Sequence, residues 1–251
     1  MTNALGVIIL AAGLGTRMKS DKAKVLHELN GRPMVLYVVD VARKLAGDQV
    51  IVVVGYQADR VQQVVTAEAR VRFAIQTEQL GTGHAVSCAM DAVPPECERL
   101  VILCGDVPLL ELDTLRKFVA HHDRSGSDVT VLAVELDNPK GYGRILVDDS
   151  GGVSGIVEEA DATTAQKGIR LVNTGIYCVS RAFLESALEQ IQTDNAQGEF
   201  YLTDMISIAY REGRKVEVSV GKDPLEFIGI NSREDLEAVE RFMQRQRANI
   251  A

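Results

Sequence analysis

Cysteine is scarce and unpaired: four residues, at 88, 97, 104 and 178, fall in no CxxC motif. Their scatter excludes a disulfide framework and a zinc knuckle, and fits the reduced, mostly buried thiols expected of a cytoplasmic protein. The four histidines (His27, His84, His121 and His122) show no HExxH or related spacing, so no protein-built metal cage is expected. Positive charge is in deficit, with 27 Lys and Arg against 35 Asp and Glu and a formal net charge of −8. That balance argues against broad nucleic-acid binding, while leaving room for a small basic pocket. The N-terminal apolar run is too short for a signal peptide or a membrane span, and no basic segment precedes it. No Ser-His-Asp or Cys-His arrangement stands out, so a covalent intermediate is not suggested. Repeats, low-complexity segments and obvious flexible linkers are absent.

What the chain does have is a glycine loop directly after its first apolar run. Residues 7–10 read VIIL, short and β-branched, as expected for a central strand of a parallel sheet. LAAGLGTR follows over 10–17. Gly13 and Gly15 allow a sharp turn that brings backbone N–H groups close to an anion, and Arg17 adds a positive charge. Such a loop at the carboxyl end of strand one is where open α/β sheets bind phosphorylated ligands. Two familiar phosphate loops do not fit. The ATPase pattern GxxxxGK[ST] is missing, and the dinucleotide fingerprint GxGxxG fails at Met18. Lys19, Lys22 and Lys24, following Arg17, favour a polyphosphate over a bare tight turn.

The first half alternates strands with helices. A helix opens at Pro33 and runs to about Leu45; strands are expected over 50–54, 71–75 and 100–104, with helices over 59–67 and 84–90. This rhythm implies βαβ units in a mostly parallel, right-handed sheet. A strand follows over 129–134. Residues 144–147 and 153–157 alternate around Asp148-Asp149-Ser150-Gly151-Gly152, predicting a hairpin and an antiparallel excursion at one side of the sheet. Further strands are expected over 171–179 and 216–220, and a strand-like run over 226–230. From Ser232, an expected N-cap, a charged helix carries Leu236, Val239 and Met243 on one stripe. The expected fold is therefore α/β: a Rossmann-like, mostly parallel sheet flanked by helices, with an antiparallel excursion and a C-terminal helix. One domain is expected over 1–231, with 232–251 as a helical extension.

Candidate chemistry sits at the strand ends. Asp106, after a strand and a glycine, is placed to hold Mg²⁺ against phosphate oxygens or to cap the turn before Pro108; magnesium needs only one or two protein oxygens when substrate and water supply the rest. Asn231 offers an amide oxygen to the same ion or a cap to the last helix. Gln76, in QTEQLGTG, can donate to and accept from a nucleobase edge, or serve a helix-entry turn. Gly141-Tyr142-Gly143-Arg144, Glu158 and Asn173-Thr174-Gly175 are polar and glycine elements suited to a polyhydroxylated ligand, although each taken singly is also turn chemistry.

Read together, LAAGLGTRM, KVLH, QTEQLGTGHA, GDVPL, GYGRI, GIVEE, NTGIY, NAQGEFYLTD and the late Asn231 form an ordered series covering nearly the whole chain. The chain resembles the N-terminal uridylyltransferase domain of the bacterial bifunctional N-acetylglucosamine-1-phosphate uridylyltransferase/glucosamine-1-phosphate acetyltransferases. QLGTGHA and NAQGEFYLTD are the most specific of these motifs. The resemblance implies a reaction of UTP with N-acetylglucosamine 1-phosphate to give UDP-N-acetylglucosamine, a cell-wall precursor, and pyrophosphate. It implies that Leu10, Ala11, Ala12 and Gly13, with Gln76 and Gly81, hold the uracil, and that Thr82 lies near the nucleotide. Asp106 and Asn231 match the Mg²⁺ ligands, Arg17 and Lys24 the basic groups at the phosphates, and Gly143, Glu158 and Asn173 the sugar-binding positions. Two positions depart from the pattern: Ala23 replaces a common Pro before Lys24, and Cys104 stands where Tyr is frequent. No hexapeptide repeat like that of the family's trimer-forming acetyltransferase domain is present. No acetyl transfer is therefore expected of this chain, nor more than a monomer or weak oligomer. Another base or sugar, a non-catalytic nucleotide-sugar sensor, and an NAD-dependent oxidoreductase are the alternatives. The last is disfavoured by the missing third glycine and by the lack of an acidic ribose ligand at the expected distance.

Overall fold

The computed structural model describes residues 4–250, with side chains described for 4–245. In chain order, the strands are β1 (Ala4–Ala11), β2 (Glu28–Leu29), β3 (Arg32–Pro33), β4 (Val50–Val54), β5 (Arg72–Ile75), β6 (Cys97–Cys104), β7 (Val129–Glu135), β8 (Arg144–Val147), β9 (Val153–Val157), β10 (Leu171–Ser180) and β11 (Val216–Val220). The helices are α1 (Met34–Ala46), α2 (Ala58–Glu68), α3 (Thr82–Ala89), α4 (Leu112–Ser125), α5 (Thr164–Lys167), α6 (Arg181–Leu188), α7 (Asp204–Arg211) and α8 (Arg233–Ile250).

The main sheet runs β11-β7-β10-β6-β1-β4-β5, with the β8–β9 hairpin branching from β10. Strand β1 is parallel to both β4 and β6, so the order reverses at the centre of the sheet. That reversal opens a crevice beyond the carboxyl ends of β1 and β6, the favoured ligand position in open α/β sheets. Alternate residues of β1 feed two cores. Val7 and Ile9 pack toward the layer of α1, α2 and α4, and Ile8 toward that of α3, α6 and α7. Because both faces are covered, β4 is buried at every position (Val50–Val54), which explains its unbroken run of branched residues.

Strand β10 supplies the antiparallel element. It lies between β7 and β6 and is antiparallel to both, so the expected excursion passes through the middle of the sheet as well as its side. The 226–230 run is not a strand. A 3₁₀ turn occupies Pro224–Phe227, because Pro224 fixes φ at its first position and the Asp223 carboxylate accepts the Leu225 N–H at 3.0 Å.

Helix α8 folds back on the domain. Its Leu236, Val239 and Met243 join Leu29, Met34 and Ile230 in a third, small apolar cluster. Ser232 caps the helix as expected: its Oγ accepts the Asp235 N–H at 3.1 Å, and the Asp235 carboxylate accepts the N–H groups of Ser232 at 2.8 Å and Asn231 at 2.9 Å. No described helix is long and apolar enough to cross a membrane.

Candidate active site

The loop after β1 is anchored from both sides. The Leu10 carbonyl accepts the Gly105 N–H at 2.9 Å and the Ala12 carbonyl accepts the Tyr56 N–H at 3.2 Å. Gly15 turns the chain with φ +65°, and a Cβ there would lie 2.5 Å from the Lys24 Cβ, so only glycine lets the loop rest on the Lys24 segment. A 3₁₀ turn over Thr16–Met18 then buries Met18 and leaves Arg17 exposed, next to Thr16, which lines a cleft of about 480 Å³.

Four residues converge beside that cleft. Lys24 Nζ donates to Asp106 Oδ2 at 2.5 Å and to Asn231 Oδ1 at 3.2 Å, and an Arg17 guanidinium nitrogen donates to the same Asn231 oxygen at 2.8 Å. The Asn231 amide nitrogen donates to the Gly229 carbonyl at 2.9 Å. A carbonyl can only accept, so this contact orients Oδ1 toward the two cations. Ile230 N–H also donates to the Asp106 carbonyl at 2.9 Å, tying the segment before α8 to the end of β6. A carboxylate oxygen and an amide oxygen thus face one cationic centre. No group of three or more His, Cys, Asp or Glu suited to a metal occurs among the described residues. The donor set therefore fits a hard ion that takes few protein oxygens and draws the rest from phosphate and water, as Mg²⁺ does.

The far end of the cleft is built from the loop between β5 and α3. Gln76 is buried, and its Nε2 donates to the Gly81 carbonyl at 3.0 Å. Gly81 has φ +111°, and a Cβ on it would stand 2.6 Å from the Phe200 carbonyl oxygen. The loop is stitched to the 199–202 segment by bonds from Gly83 N–H to Phe200, Phe200 N–H to Leu80, and Leu202 N–H to the Thr82 hydroxyl, at 2.8, 2.8 and 3.0 Å. The two most specific sequence motifs, QLGTGHA and NAQGEFYLTD, are therefore two sides of one wall.

A third cluster lies where β8, β9 and β10 meet. The Asn173 N–H donates to the Gly143 carbonyl at 2.8 Å, and a Cβ on Gly143 would sit 2.9 Å from Ile156 and 3.3 Å from the Glu158 carboxylate. Asn173 donates to the Tyr177 hydroxyl at 2.7 Å and accepts the Gly175 N–H at 3.0 Å. Burial lifts the Glu158 carboxyl above the ordinary carboxylate range, against the lowering effect of the Thr203 hydroxyl that donates to it at 3.1 Å. Cys104 joins this cluster to the cleft. Its sulfur lines the cleft and lies 3.6 Å from the Gly175 carbonyl. Burial pushes its thiol up to about 12, so it stays protonated and is not a nucleophile at neutral pH.

Leu10, Ala11, Ala12, Gly13, Lys24, Gln76, Gly81, Thr82 and Asp106 line one cleft. Arg17 and Asn231 reach it through Lys24, whereas Gly143, Glu158 and Asn173 form an adjoining cluster that does not line it. The cleft also takes in Gln79 and Glu199, which the motifs contain but the sequence reading did not single out. Their position follows from the stitched wall, a contact between segments far apart in the chain.

A family model described as the MobA-like NTP transferase domain matches residues 7–201. The chain belongs to this NTP transferase family. It is similar to the bifunctional protein GlmU of Geobacter metallireducens, 48% identical over 98% of this chain and 51% of that protein. It is similar also to GlmU of Desulfotalea psychrophila, 42% identical over 98% of this chain and 72% of that protein. The chain spans about half the length of the GlmU of Geobacter metallireducens and of several other curated relatives. Among solved structures, HddC from Yersinia pseudotuberculosis, complexed with GMP-PN, superposes with a TM-score of 0.68 at 25% identity, covering 94% of this chain and 99% of that one. A Bacillus anthracis structure in complex with sucrose shares the fold at a TM-score of 0.74 and 20% identity, covering 95% of each chain.

Proposed function

We propose that this NTP transferase domain moves UMP from UTP to N-acetylglucosamine 1-phosphate, giving UDP-N-acetylglucosamine and pyrophosphate, with Mg²⁺ held by Asp106 and Asn231. The observation that carries this reading is the convergence of Arg17, Lys24, Asp106 and Asn231 at the switch point of the sheet, beside a cleft ending at the Gln76 amide. Similarity to the GlmU proteins supports the choice of nucleotide and amino sugar.

The attacking group, a sugar phosphate oxygen, is already largely ionised near neutral pH, so the chain needs no strong general base. Its task is to align two anions and to neutralise the charge growing on the leaving pyrophosphate. Arg17, bonded to Asn231, and Lys24, on the cleft wall, would supply that charge from the protein. Bound Mg²⁺ would add Lewis-acid stabilisation of phosphate oxygens. Gln76, Gly81 and the backbone of residues 10–13 would hold the uracil, with Thr82 near the nucleotide. Gly143, Glu158 and Asn173 would read the sugar from the adjoining cluster.

The test is pyrophosphate release from UTP, N-acetylglucosamine 1-phosphate and Mg²⁺, with each omitted in turn and with other nucleotides and sugar phosphates substituted. Release confined to the full mixture supports the reading. Release with a different base or sugar moves the domain to another member of the family's chemistry, and nucleotide binding without any release makes it a sensor.

A further inference from the structure

The interior behind the base end of the cleft holds a polar chain whose inner members, His84 and Cys88, the reaction above does not use. Gln76 Nε2 lies 3.0 Å from the Gly81 carbonyl and 3.1 Å from His84 Nδ1. His84 Nε2 in turn lies 3.7 Å from the Cys88 sulfur. The His84 ring is half-buried, with the Phe200 ring 6.4 Å away, at the edge of a small cavity of about 100 Å³.

Donor counting orients every member of this chain. The Gly81 carbonyl can only accept, so the Gln76 atom facing it is the nitrogen. That nitrogen has two hydrogens, and its second contact is His84 Nδ1, which must therefore present a lone pair. The imidazole is then the neutral tautomer protonated at Nε2, with that N–H directed to Cys88. Both Gln76 hydrogens are now used, and its Oε1 is left as an acceptor.

We infer that His84 is a positioning residue for base selection: it locks the Gln76 amide with its oxygen toward the nucleotide, so that the cleft accepts a base carrying an imino N–H and rejects one presenting a lone pair there. This rests on the reading that Gln76 holds the base. Uracil offers N3–H, whereas cytosine has an unprotonated N3. A fixed acceptor attracts the first and repels the second, which is selection by an unfavourable contact as well as by a favourable one. Without the His84 lone pair, one of the two acceptors that hold the nitrogen is lost, and the Gly81 carbonyl alone opposes a turned-over amide that offers its N–H₂ to cytosine.

The test measures kcat/KM for UTP and CTP in the parent enzyme, His84→Phe and His84→Asn. Phenylalanine keeps the ring and removes the acceptor, while an asparagine oxygen can occupy nearly the position of Nδ1. The expected result is that the UTP-over-CTP preference falls roughly tenfold in His84→Phe, the scale of one oriented hydrogen bond, and stays within about threefold of the parent in His84→Asn. A merely structural role for His84 would lower both nucleotides together and leave the ratio unchanged, overturning the inference. A parent enzyme that uses CTP as well as UTP overturns the uridylyl reading itself, and the role of His84 with it. If His84→Phe does not fold, the ¹⁵N shifts of His84 in the parent decide: an unprotonated Nδ1 beside a protonated Nε2 is expected, and a protonated Nδ1 overturns the lock.

Discussion

The Gly83 amide donates to the Phe200 carbonyl oxygen at 2.8 Å, joining the start of α3 to a segment more than a hundred residues later. Together with the reverse bond from Phe200 to Leu80, it closes a small backbone ladder along the base end of the cleft. This ladder explains why a side chain at Gly81 is excluded: the space is already filled by the Phe200 peptide.

Gly81→Ala should therefore damage both stability and nucleotide binding. The positive φ and the 2.6 Å approach to Phe200 both oppose a Cβ. A loss of roughly 1–3 kcal/mol in unfolding free energy is expected, together with weakened UTP binding. Urea denaturation and nucleotide titration of the same sample measure the two effects. A parent-like denaturation midpoint would show that the Phe200 segment yields without cost.

Arg17 is exposed and touches the rest of the chain chiefly through Asn231. Arg17→Ala should leave the melting temperature nearly unchanged and lower turnover by on the order of 10²–10³-fold, the scale of removing a preorganised charge-stabilising group. Steady-state pyrophosphate release from the folded variant checks this, and a near-parent kcat would remove Arg17 from the reaction.

Asp106→Asn keeps shape but removes the charge that pairs with Lys24 at 2.5 Å. Turnover should fall, and the Mg²⁺ concentration for half-maximal activity should rise by roughly 10–100-fold, the scale of disturbing groups around a bound metal. A magnesium titration of activity reads this directly; an unchanged half-saturation point would argue against ligation.

Glu158 offers a prediction with opposite signs for function and stability. Its carboxyl is raised above 4.5 because burial penalises the charged form. The native state therefore keeps this proton to higher pH than the unfolded chain does. The stability this group contributes is complete below the unfolded value and is withdrawn as pH rises through the folded one. Glu158→Gln should accordingly exceed the parent melting temperature at neutral pH, with the difference shrinking in acid. The same change should raise KM for the sugar phosphate by on the order of tenfold, through loss of a charged acceptor. In the parent, that KM should climb as pH falls through the raised value and the carboxylate takes up its proton. Equal melting temperatures at every pH would remove the cost of the buried charge.

The sheet was legible where burial on both faces imposes unbroken branched runs, as in β4, and where a glycine pair follows a strand. Partner choice was less so. The periodicity of β10 does not encode that it runs antiparallel between β7 and β6, because pairing is set by contacts across the whole sheet. The 226–230 run looked extended for its apolar residues, while the decisive signal lay just upstream in Asp223 and Pro224. Helices α4, α5, α6 and α7 are not among the expected elements. In the site, the motif residues around the cleft were accessible because loops at strand ends share one edge. Lys24 and Asn231, 207 residues apart, meet only in the folded chain, and their contact has no local signature. Gln79 and Glu199 went unmarked for the same reason.

The small cluster beneath α8 predicts a separate thermal threshold. Asn231 is bonded to the first turn of that helix through Asp235 as well as to Gly229, Lys24 and Arg17, and the helix packs through Val239 on Leu29, Met34 and Ile230 rather than on the two large cores. Local structure with few buried apolar contacts opens at lower free-energy cost than the sheet. Warming should therefore release the Asn231 oxygen while the strands are still paired. If Asn231 holds Mg²⁺ as proposed, the response of activity to magnesium should be lost at a temperature where far-ultraviolet circular dichroism still reports an intact fold, and should return on cooling.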